Sequence, residues 1–373
     1  MTARLSATNR SELAAVFLAA AVCILYFFRV FFFSRLDGIW GDLGDARYCI
    51  VILEHWRAVA SGHAALRDPN FFAPYRGVLG YSVALFLYVP PYLLLRAAGL
   101  DRYLAFEWTL IAVRLLGFLS LYALLRRKLR FALLPSLAGA ALFTIANIAS
   151  VTGTHIQLWL VSFVPLLALL VFQYFEFRWS PRQGQARAAL YSAAVLLALL
   201  FFSDFYIAYF SVLAATAAAA WWMIRELTRR PAALASGLRR IGPGLAVDSA
   251  IAAGIFAIAL IPFLYVYLPV LAISGGRSYP ETFSFMRNWR DLFDVGAGNW
   301  MWGSRLGAYY AALNPPYGES GLGIPPFTVL TGAAACCALF RKQCGHGELL
   351  AARVADKFDQ VRVGQLFRLN HGV

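Results

Sequence analysis

The chain has 373 residues, of which 61% are hydrophobic and 14% are charged, and its formal net charge is +14. An average soluble domain is about 45–50% apolar and about 25% charged, so this composition excludes a water-soluble globular fold. The positive charge does not indicate nucleic-acid binding, because the arginines form short clusters between apolar blocks, as in the cytoplasmic loops of membrane proteins. We therefore predict an all-α, polytopic membrane helix bundle in a plasma (inner) membrane, with the lipid bilayer as a partner and no nucleic acid.

The apolar residues form blocks of roughly 15 to 25 residues, the length that a helix needs to cross about 30 Å of hydrocarbon. They predict about eight or nine transmembrane segments. The first block is too long for the core of a signal peptide and no small-residue cleavage site follows it, so it predicts a retained helix. The blocks are 13–33, 83–95, 106–125, 133–149, 158–175, 188–202, 207–223, 245–273 and 326–340.

Basic clusters between the blocks mark the loops that the positive-inside rule assigns to the cytoplasm. This assignment predicts a membrane domain at 1–340 with large external loops at 34–81 and 274–325, followed by an atypical charged cytoplasmic tail at 341–373. The basic clusters lie at 126–130, 178–187, 225–240 and 341–342.

The block at 83–95 is short and contains Pro90 and Pro91. With a cytoplasmic N-terminus and a cytoplasmic cluster at 126–130, one segment between them cannot span the membrane. Two adjacent prolines break or kink a helix, so we predict that this block is re-entrant or partial. The alternative is an N-terminus on the external side.

The first external loop opens with GDLGDAR, in which Asp42 and Asp45 flank a glycine-bearing turn and Arg47 follows. Carboxylates near a membrane surface can act as a general base or bind a cation, and arginine can pair with a phosphate. The alternative interpretation is a solvated turn with a helix N-cap at Asp45. Further along this loop, the segment 48–60 predicts an amphipathic interfacial helix with His55 and Trp56 at headgroup level.

The segment NFFAPYRGVLGYS, 70–82, brings aromatic rings and Arg76 to the start of the proline-containing block. Tyr75 and Arg76 are candidates for holding a sugar and a phosphate. The alternative is an interfacial aromatic belt with a snorkelling arginine.

Four further polar residues belong to the predicted external side. His155 and Gln157 stand in the short turn GTHIQ, Asp204 separates two apolar blocks, and Glu319 belongs to the later external loop. A carboxylate at the centre of a bilayer costs about 2.5–3.5 kcal/mol, so we expect Asp204 to line a polar cavity or to reach the headgroups. His155 is otherwise a solvated loop residue.

Five features of the chain are found together: a first helix, an external GDxxDxR loop, an interfacial helix, an aromatic Phe/Pro/Tyr/Arg segment and a short external turn before the fifth block. In these features the chain resembles the glycosyltransferase C (GT-C) superfamily, over about Leu13 to Phe340. The family fold is a bundle of membrane helices, and its donor is typically a polyprenyl-phosphate-linked sugar. The resemblance implies inverting transfer of a hexosyl or pentosyl group to an envelope glycan, lipid or protein on the external face.

The resemblance also implies roles for residues of this chain. Asp42 or Asp45 is the base that deprotonates the acceptor hydroxyl, and Arg47, Arg76 or His155 balances charge on the departing phosphate. The second acidic site of some relatives is not apparent here, so we predict no metal site and no cofactor, with dependence on a divalent cation left open. The implied substrate-binding residues are Arg47, Tyr75, Arg76, His155, Gln157, Asp204 and Glu319.

Two other functions compete with this hypothesis. A transporter or flippase also uses isolated intramembrane charges such as Asp204, Glu107 and Arg114, although Glu107 and Arg114 are spaced to neutralise each other on one helical face. The third hypothesis is a catalytically silent assembly or scaffold protein. A truncated or frame-altered, inactive product agrees with it, because many GT-C relatives are longer and the tail after Phe340 is atypical.

Overall fold

The computed structural model describes residues 7–41, 44–72, 74–146, 155–229, 243–276, 278–280, 294–295, 299, 302–307 and 329–330. This described part of the chain is 78% helical and contains no strand, which confirms the all-α prediction. The chain divides into two compact units, Met1–Met286 and Arg287–Val373. The candidate site lies in the first unit, whose helices are numbered here in chain order.

The helices are α1 (Ala7–Phe27), α2 (Arg29–Phe33), α3 (Asp45–Ala60), α4 (Val89–Ala97), α5 (Arg102–Ala123), α6 (Leu133–Thr144), α7 (Val164–Phe177), α8 (Gln183–Ser203), α9 (Phe205–Arg229), α10 (Pro243–Ala259) and α11 (Ile261–Ser274). Short 3-10 helices stand at Val78–Tyr81, Phe86–Tyr88 and Ile156–Phe163, and α5 ends in a π-helical turn at Leu124–Lys128. In the second unit, a π-helical turn occupies Gly303–Gly307.

Five described helices are long and apolar enough to cross a membrane, and a bent pair of helices makes a sixth span if it crosses as one. This supports a multi-pass membrane protein, with fewer spans in the described residues than the eight or nine predicted. The block at 133–149 contains a helix of only 12 residues, and most of 326–340 lies outside the described residues. The five spans are Arg10–Phe27, Arg102–Lys128, Ile156–Phe177, Gln183–Ser203 and Phe205–Arg225.

The bent pair, α10 and α11, replaces the single segment predicted at 245–273. Their axes differ by 52° at the break. Pro262 stands in the first turn of α11, where its missing N–H is tolerated but where it cannot continue the hydrogen bonding of α10. The proline therefore explains the bend.

The block at 83–95 does not cross the membrane as a helix. It forms a 3-10 turn and then α4, which has nine residues and prolines in its first turn, less than half of the roughly 20 residues that a span needs. Tyr88 and Tyr92 are fully buried, and the Tyr88 hydroxyl donates to the carbonyl of Ile156 at 2.7 Å. The segment enters the protein core, as the prediction of a partial segment required.

The basic ends of the helices meet at one end of the bundle. Arg126, at the end of α5, donates to Glu12 near the start of α1 at 3.1 Å. Because the start of α1 and the end of α5 lie together, an even number of crossings separates them, which agrees with the predicted non-spanning block at 83–95. At the same end, Asp248 of α10 accepts from Arg187 of α8 at 2.9 Å.

The opposite end of the bundle holds an aromatic cluster around a buried arginine. Phe27 of α1 and Trp159 make ring contacts with each other, and the guanidinium of Arg114 on α5 lies 5.0 Å and 5.4 Å from their ring centroids. Arg114 also donates to the carbonyls of Phe143 and Thr144, so it neutralises the C-terminal end of α6. The suggestion that Arg114 is neutralised by Glu107 is wrong: each has other partners, and these two described residues form no ion pair.

Candidate functional site

The structure brings together two predicted site residues that are 110 positions apart in sequence. Asp45 is the first residue of α3, and His155 precedes the 3-10 helix Ile156–Phe163. The Nδ1 atom of His155 lies 3.1 Å from Oδ2 of Asp45. Sequence analysis assigned both to external loops, but it did not pair them.

The pair stands at the edge of the protein core. Ala46 and Ile156, the next residues after each member, are completely buried, and this packing fixes the backbone on both sides of the contact. The side chains themselves are 50% exposed at Asp45 and 25% exposed at His155. A rigid backbone with partly open side chains is the arrangement that a residue acting on a substrate requires.

Gln157 lies beside the pair, with its Nε2 3.4 Å from the same Nδ1 of His155. One nitrogen cannot donate to Asp45 and accept from Gln157 at once. We assign the proton to Nδ1, since a bond to a carboxylate is stronger than one to a neutral amide and the Asp45 distance is shorter. In neutral His155 this assignment makes Nε2 the acceptor nitrogen.

The loop before Asp45 is tied to the bundle by a residue that sequence analysis missed. The backbone N–H of Trp40 donates to Oε1 of Glu107 on α5, and the Trp40 ring stacks on Phe27 with centroids 4.7 Å apart. Glu107 is fully buried, and its Oε2 has no hydrogen-bond partner in the described structure. A tryptophan directly before the GDLGDAR segment was the available signal.

Asp42 lies outside the described residues, as do Glu319 and most of the later external loop. Arg47 is exposed on the first turn of α3. The predicted roles of these three residues stay predictions. His55 and Trp56 of the same helix are buried inside the protein, and the Trp56 indole donates to the carbonyl of Ala84 at 2.7 Å; their predicted position at headgroup level stays a prediction.

Tyr75 and Arg76 lie in another part of the first loop. Tyr75 is 76% exposed, and Arg76 lines a cleft of about 280 Å³ together with Arg67, Asp68 and other residues. Among the described residues, no hydrogen bond or ion pair joins either residue to Asp45 or His155. Arg67 was not singled out in the sequence.

Asp204 is buried between two helices at the same end of the bundle as Asp45. Its side chain is 1% exposed, and Oδ1 accepts from the backbone N–H of Tyr206 at 2.9 Å, which caps the start of α9. Oδ2 has no hydrogen-bond partner in the described structure. Burial raises the pKa of Asp204 to about 6, against the opposing effect of the hydrogen bonds from Tyr206 and Ile207.

The described residues contain no group of three or more His, Cys, Asp or Glu side chains that could hold a metal ion. Dependence on a divalent cation stays untested, because Asp42 and Glu319 are not among these residues.

Comparison of the chain with protein-family models, with curated proteins and with solved structures gives no match. The resemblance to the GT-C superfamily therefore stays a prediction from the sequence.

Proposed function

We propose that the protein is an inverting membrane glycosyltransferase that moves a sugar from a polyprenyl-phosphate donor to an envelope glycan, lipid or protein on the external face. The observation that carries the proposal is the contact between Asp45 and His155. It unites the acidic motif of the first loop with the short turn before the fifth apolar block, two of the five features on which the family resemblance rests.

In this proposal Asp45 is the general base. Its carboxylate takes the proton of an acceptor hydroxyl, whose oxygen forms a bond to the anomeric carbon of the donor sugar. The bond from that carbon to the phosphate oxygen breaks, and polyprenyl phosphate leaves with the electron pair. His155 is a positioning residue: its Nδ1–H donates to Oδ2 of Asp45 and orients Oδ1 toward the acceptor.

The position of the pair along the helices supports the proposal. His155 precedes the span Ile156–Phe177, and Arg178 follows it. Arg178 contacts Asp248 at the basic end of the bundle, so the pair belongs to the opposite end, where the positive-inside rule puts the external face. An isoprenoid donor needs this geometry, because its chain stays in hydrocarbon while its sugar meets an aqueous acceptor.

The test is sugar transfer from labelled polyprenyl-phosphate donors, measured in membranes that contain the protein. General-base catalysis contributes about 10² to 10⁴ in rate, so Asp45→Asn should lower transfer at least about a hundredfold. Asp101→Asn is the matched control, because Asp101 also begins a helix at this end, where it caps α5, and asparagine keeps the cap. Unchanged transfer in Asp45→Asn would refute Asp45 as the base, and unchanged transfer in Asp42→Asn as well would refute the assignment of the base to the acidic motif of the first loop.

A transporter or flippase is the second candidate, and one observation favours it. Asp204 and Glu107 are buried carboxylates, each with one oxygen that lacks a hydrogen-bond partner in the described structure, and isolated buried carboxylates mark many ion and substrate pathways. Uptake of a lipid-linked sugar by protein-containing liposomes, without any transfer to an acceptor, would select this function over the transferase.

A further inference from the structure

The first loop contains a cleft whose lining residues do not include Asp45 or His155, although they include Arg76, to which the family resemblance gave a role at the donor phosphate. It has a volume of about 280 Å³ and is lined by Ala65, Leu66, Arg67, Asp68, Arg76, Gly77 and Tyr265. Two arginines from the loop therefore face a tyrosine of α11. These residues are distant in sequence, and only the folded chain makes one site of them.

Arg67 is held in the cleft by contacts that leave part of its hydrogen-bonding capacity unused. Its guanidinium lies over the Tyr265 ring, 5.1 Å from the ring centroid. Its Nε atom is buried and has no hydrogen-bond partner in the described structure. A buried donor without an acceptor costs free energy, so a bound anion that accepts from Arg67 is favoured.

Gly77 is required for this position of Arg67. Its φ of +70° lies in the left-handed region, and a β-carbon at 77 would lie 2.8 Å from Nη2 of Arg67. The N–H of Gly77 donates to Oδ1 of Asp68 at 2.5 Å. This bond closes the turn that carries Arg76 and gives the Asp68 carboxylate a backbone partner.

Two arginines and one aspartate, Asp68, line the cleft, which leaves it a net positive charge, and no salt bridge between described residues joins them. Within the described part of the chain, neither Arg67 nor Arg76 forms an ion pair, whereas Arg96, Arg126, Arg178 and Arg187 all do. Guanidinium groups bind phosphate through paired, charge-assisted hydrogen bonds. Two such groups at one cleft are suited to a phosphate with more than one free oxygen.

The surroundings of Tyr265 point to a lipid as the source of that phosphate. On α11, the exposed side chains near Tyr265 are apolar: Ile261 is 57% exposed, Leu268 is 53% and Leu271 is 55%. Such a face suits hydrocarbon rather than water. The loop is fastened to this helix by the Tyr267 hydroxyl, which donates to the carbonyl of Ser82 at 2.8 Å.

We propose that the cleft between Arg67, Arg76 and Tyr265 binds the phosphate group of an anionic membrane lipid whose acyl chains lie along α11. A lipid bound there stabilises the contact between the first loop and α11. The experiment measures lipid binding and not sugar transfer, so its result does not depend on the proposed transferase activity.

The test uses the full chain in phosphatidylcholine nanodiscs, with phosphatidate as the lipid probe and inorganic phosphate as the soluble probe. Loss of one charge-assisted hydrogen bond corresponds to about tenfold or more in affinity, so Arg67→Gln and Arg76→Gln should each weaken phosphatidate binding by that factor. Arg67→Lys should recover only part of it, because lysine lacks the planar fork.

Arg102→Gln is the matched control. Arg102 is exposed like Arg76 and lies over a tyrosine ring like Arg67, at 5.4 Å from the ring centroid. It forms no ion pair with the described residues, and it does not line the cleft. It should bind phosphatidate like the unsubstituted protein.

Competition by inorganic phosphate would show that the phosphate group suffices for binding, and binding of phosphatidate without such competition would show that the acyl chains contribute. Both results support the site. No preference for phosphatidate over phosphatidylcholine, or an equal loss in Arg102→Gln, would overturn it, because the attraction would then be absent or a general effect of surface charge.

Discussion

The backbone N–H of Trp40 donates a hydrogen bond to the buried carboxylate of Glu107, which lies 67 positions further along the chain. This bond fixes the first loop to α5 just before the acidic motif begins. Its geometry depends on an oxygen acceptor at position 107 and not on a particular side chain at position 40.

Removal of this acceptor should destabilise the protein. Glu107→Ala removes the acceptor of the partly buried N–H of Trp40, and a buried donor without its acceptor costs about 1–3 kcal/mol of unfolding free energy. Glu107→Gln keeps a carbonyl oxygen at the same place and should cost less. The unfolding temperature of both variants can be measured in detergent by tryptophan fluorescence. If Glu107→Ala and Glu107→Gln lower the unfolding temperature equally, the hydrogen bond from Trp40 contributes nothing to stability.

His155 should affect the proposed transfer far more than stability. A partly exposed contact between a histidine and a carboxylate contributes about 0–1 kcal/mol to folding, so His155→Ala should unfold at nearly the same temperature as the unsubstituted protein. Its transfer rate should fall, because Asp45 loses the donor that orients it. His155→Asn places an amide N–H near the position of Nδ1 and should restore part of the rate.

The coupling between Asp45 and His155 provides a second test of the positioning role of His155. If His155 acts only through Asp45, then Asp45→Asn combined with His155→Ala should be no slower than Asp45→Asn alone. Additive losses in transfer would show that His155 acts independently of Asp45, for example on the departing phosphate.

Much of the helical architecture could be predicted from local sequence. Apolar blocks have the length of membrane spans, paired prolines fix the start of α4, and Gly99, with a φ of +92°, follows its end. Each of these features has its physical cause within a few positions of it. The bent pair of helices at 245–273 was less evident, because a proline in an apolar segment either bends a span or is accommodated within it. Pro262 stands at the bend, whereas Pro269 lies inside α11.

The candidate site could be predicted only as a set of separate residues. Asp45 and His155 were chosen from their own short motifs, but their contact depends on how α3 packs beside the start of the Ile156–Phe177 span. Arg67 and Tyr265 are 198 positions apart, and no spacing rule joins them. Long-range packing of this kind leaves no periodic signal in the chain.

Asp204 should make stability depend on pH. Its pKa rises from 3.8 to about 6 on folding, so the folded state binds more protons than the unfolded state between these values, and the stability it contributes at low pH is lost as pH rises toward 6. Asp204→Asn keeps an oxygen for the Tyr206 N–H and cannot ionise. The stability of the unsubstituted protein, relative to Asp204→Asn, should therefore fall between about pH 4 and pH 7.

Unfolding temperatures of both proteins across that pH range test this prediction. Asp204→Ala distinguishes the effect of the helix cap from the effect of the charge, because it also removes the acceptor of the Tyr206 N–H. It should lower the free energy of unfolding by about 0.5–2 kcal/mol at every pH. A difference between the unsubstituted protein and Asp204→Asn that does not change with pH would contradict the raised pKa.

The orientation of the bundle can be tested by the accessibility of single cysteines. Glu12 and Arg126 meet at the basic end, whereas Ser61, exposed at the end of α3, belongs to the loop that carries Asp45. In a background without the five native cysteines, Ser61→Cys should react with a membrane-impermeant maleimide in intact cells. Arg127→Cys should react only after the membrane is opened, because the positive-inside rule assigns its cluster to the cytoplasm. Labelling of both positions from the same side would contradict the two crossings, α1 and α5, that the contact between Glu12 and Arg126 requires, and with them the external location of the proposed site.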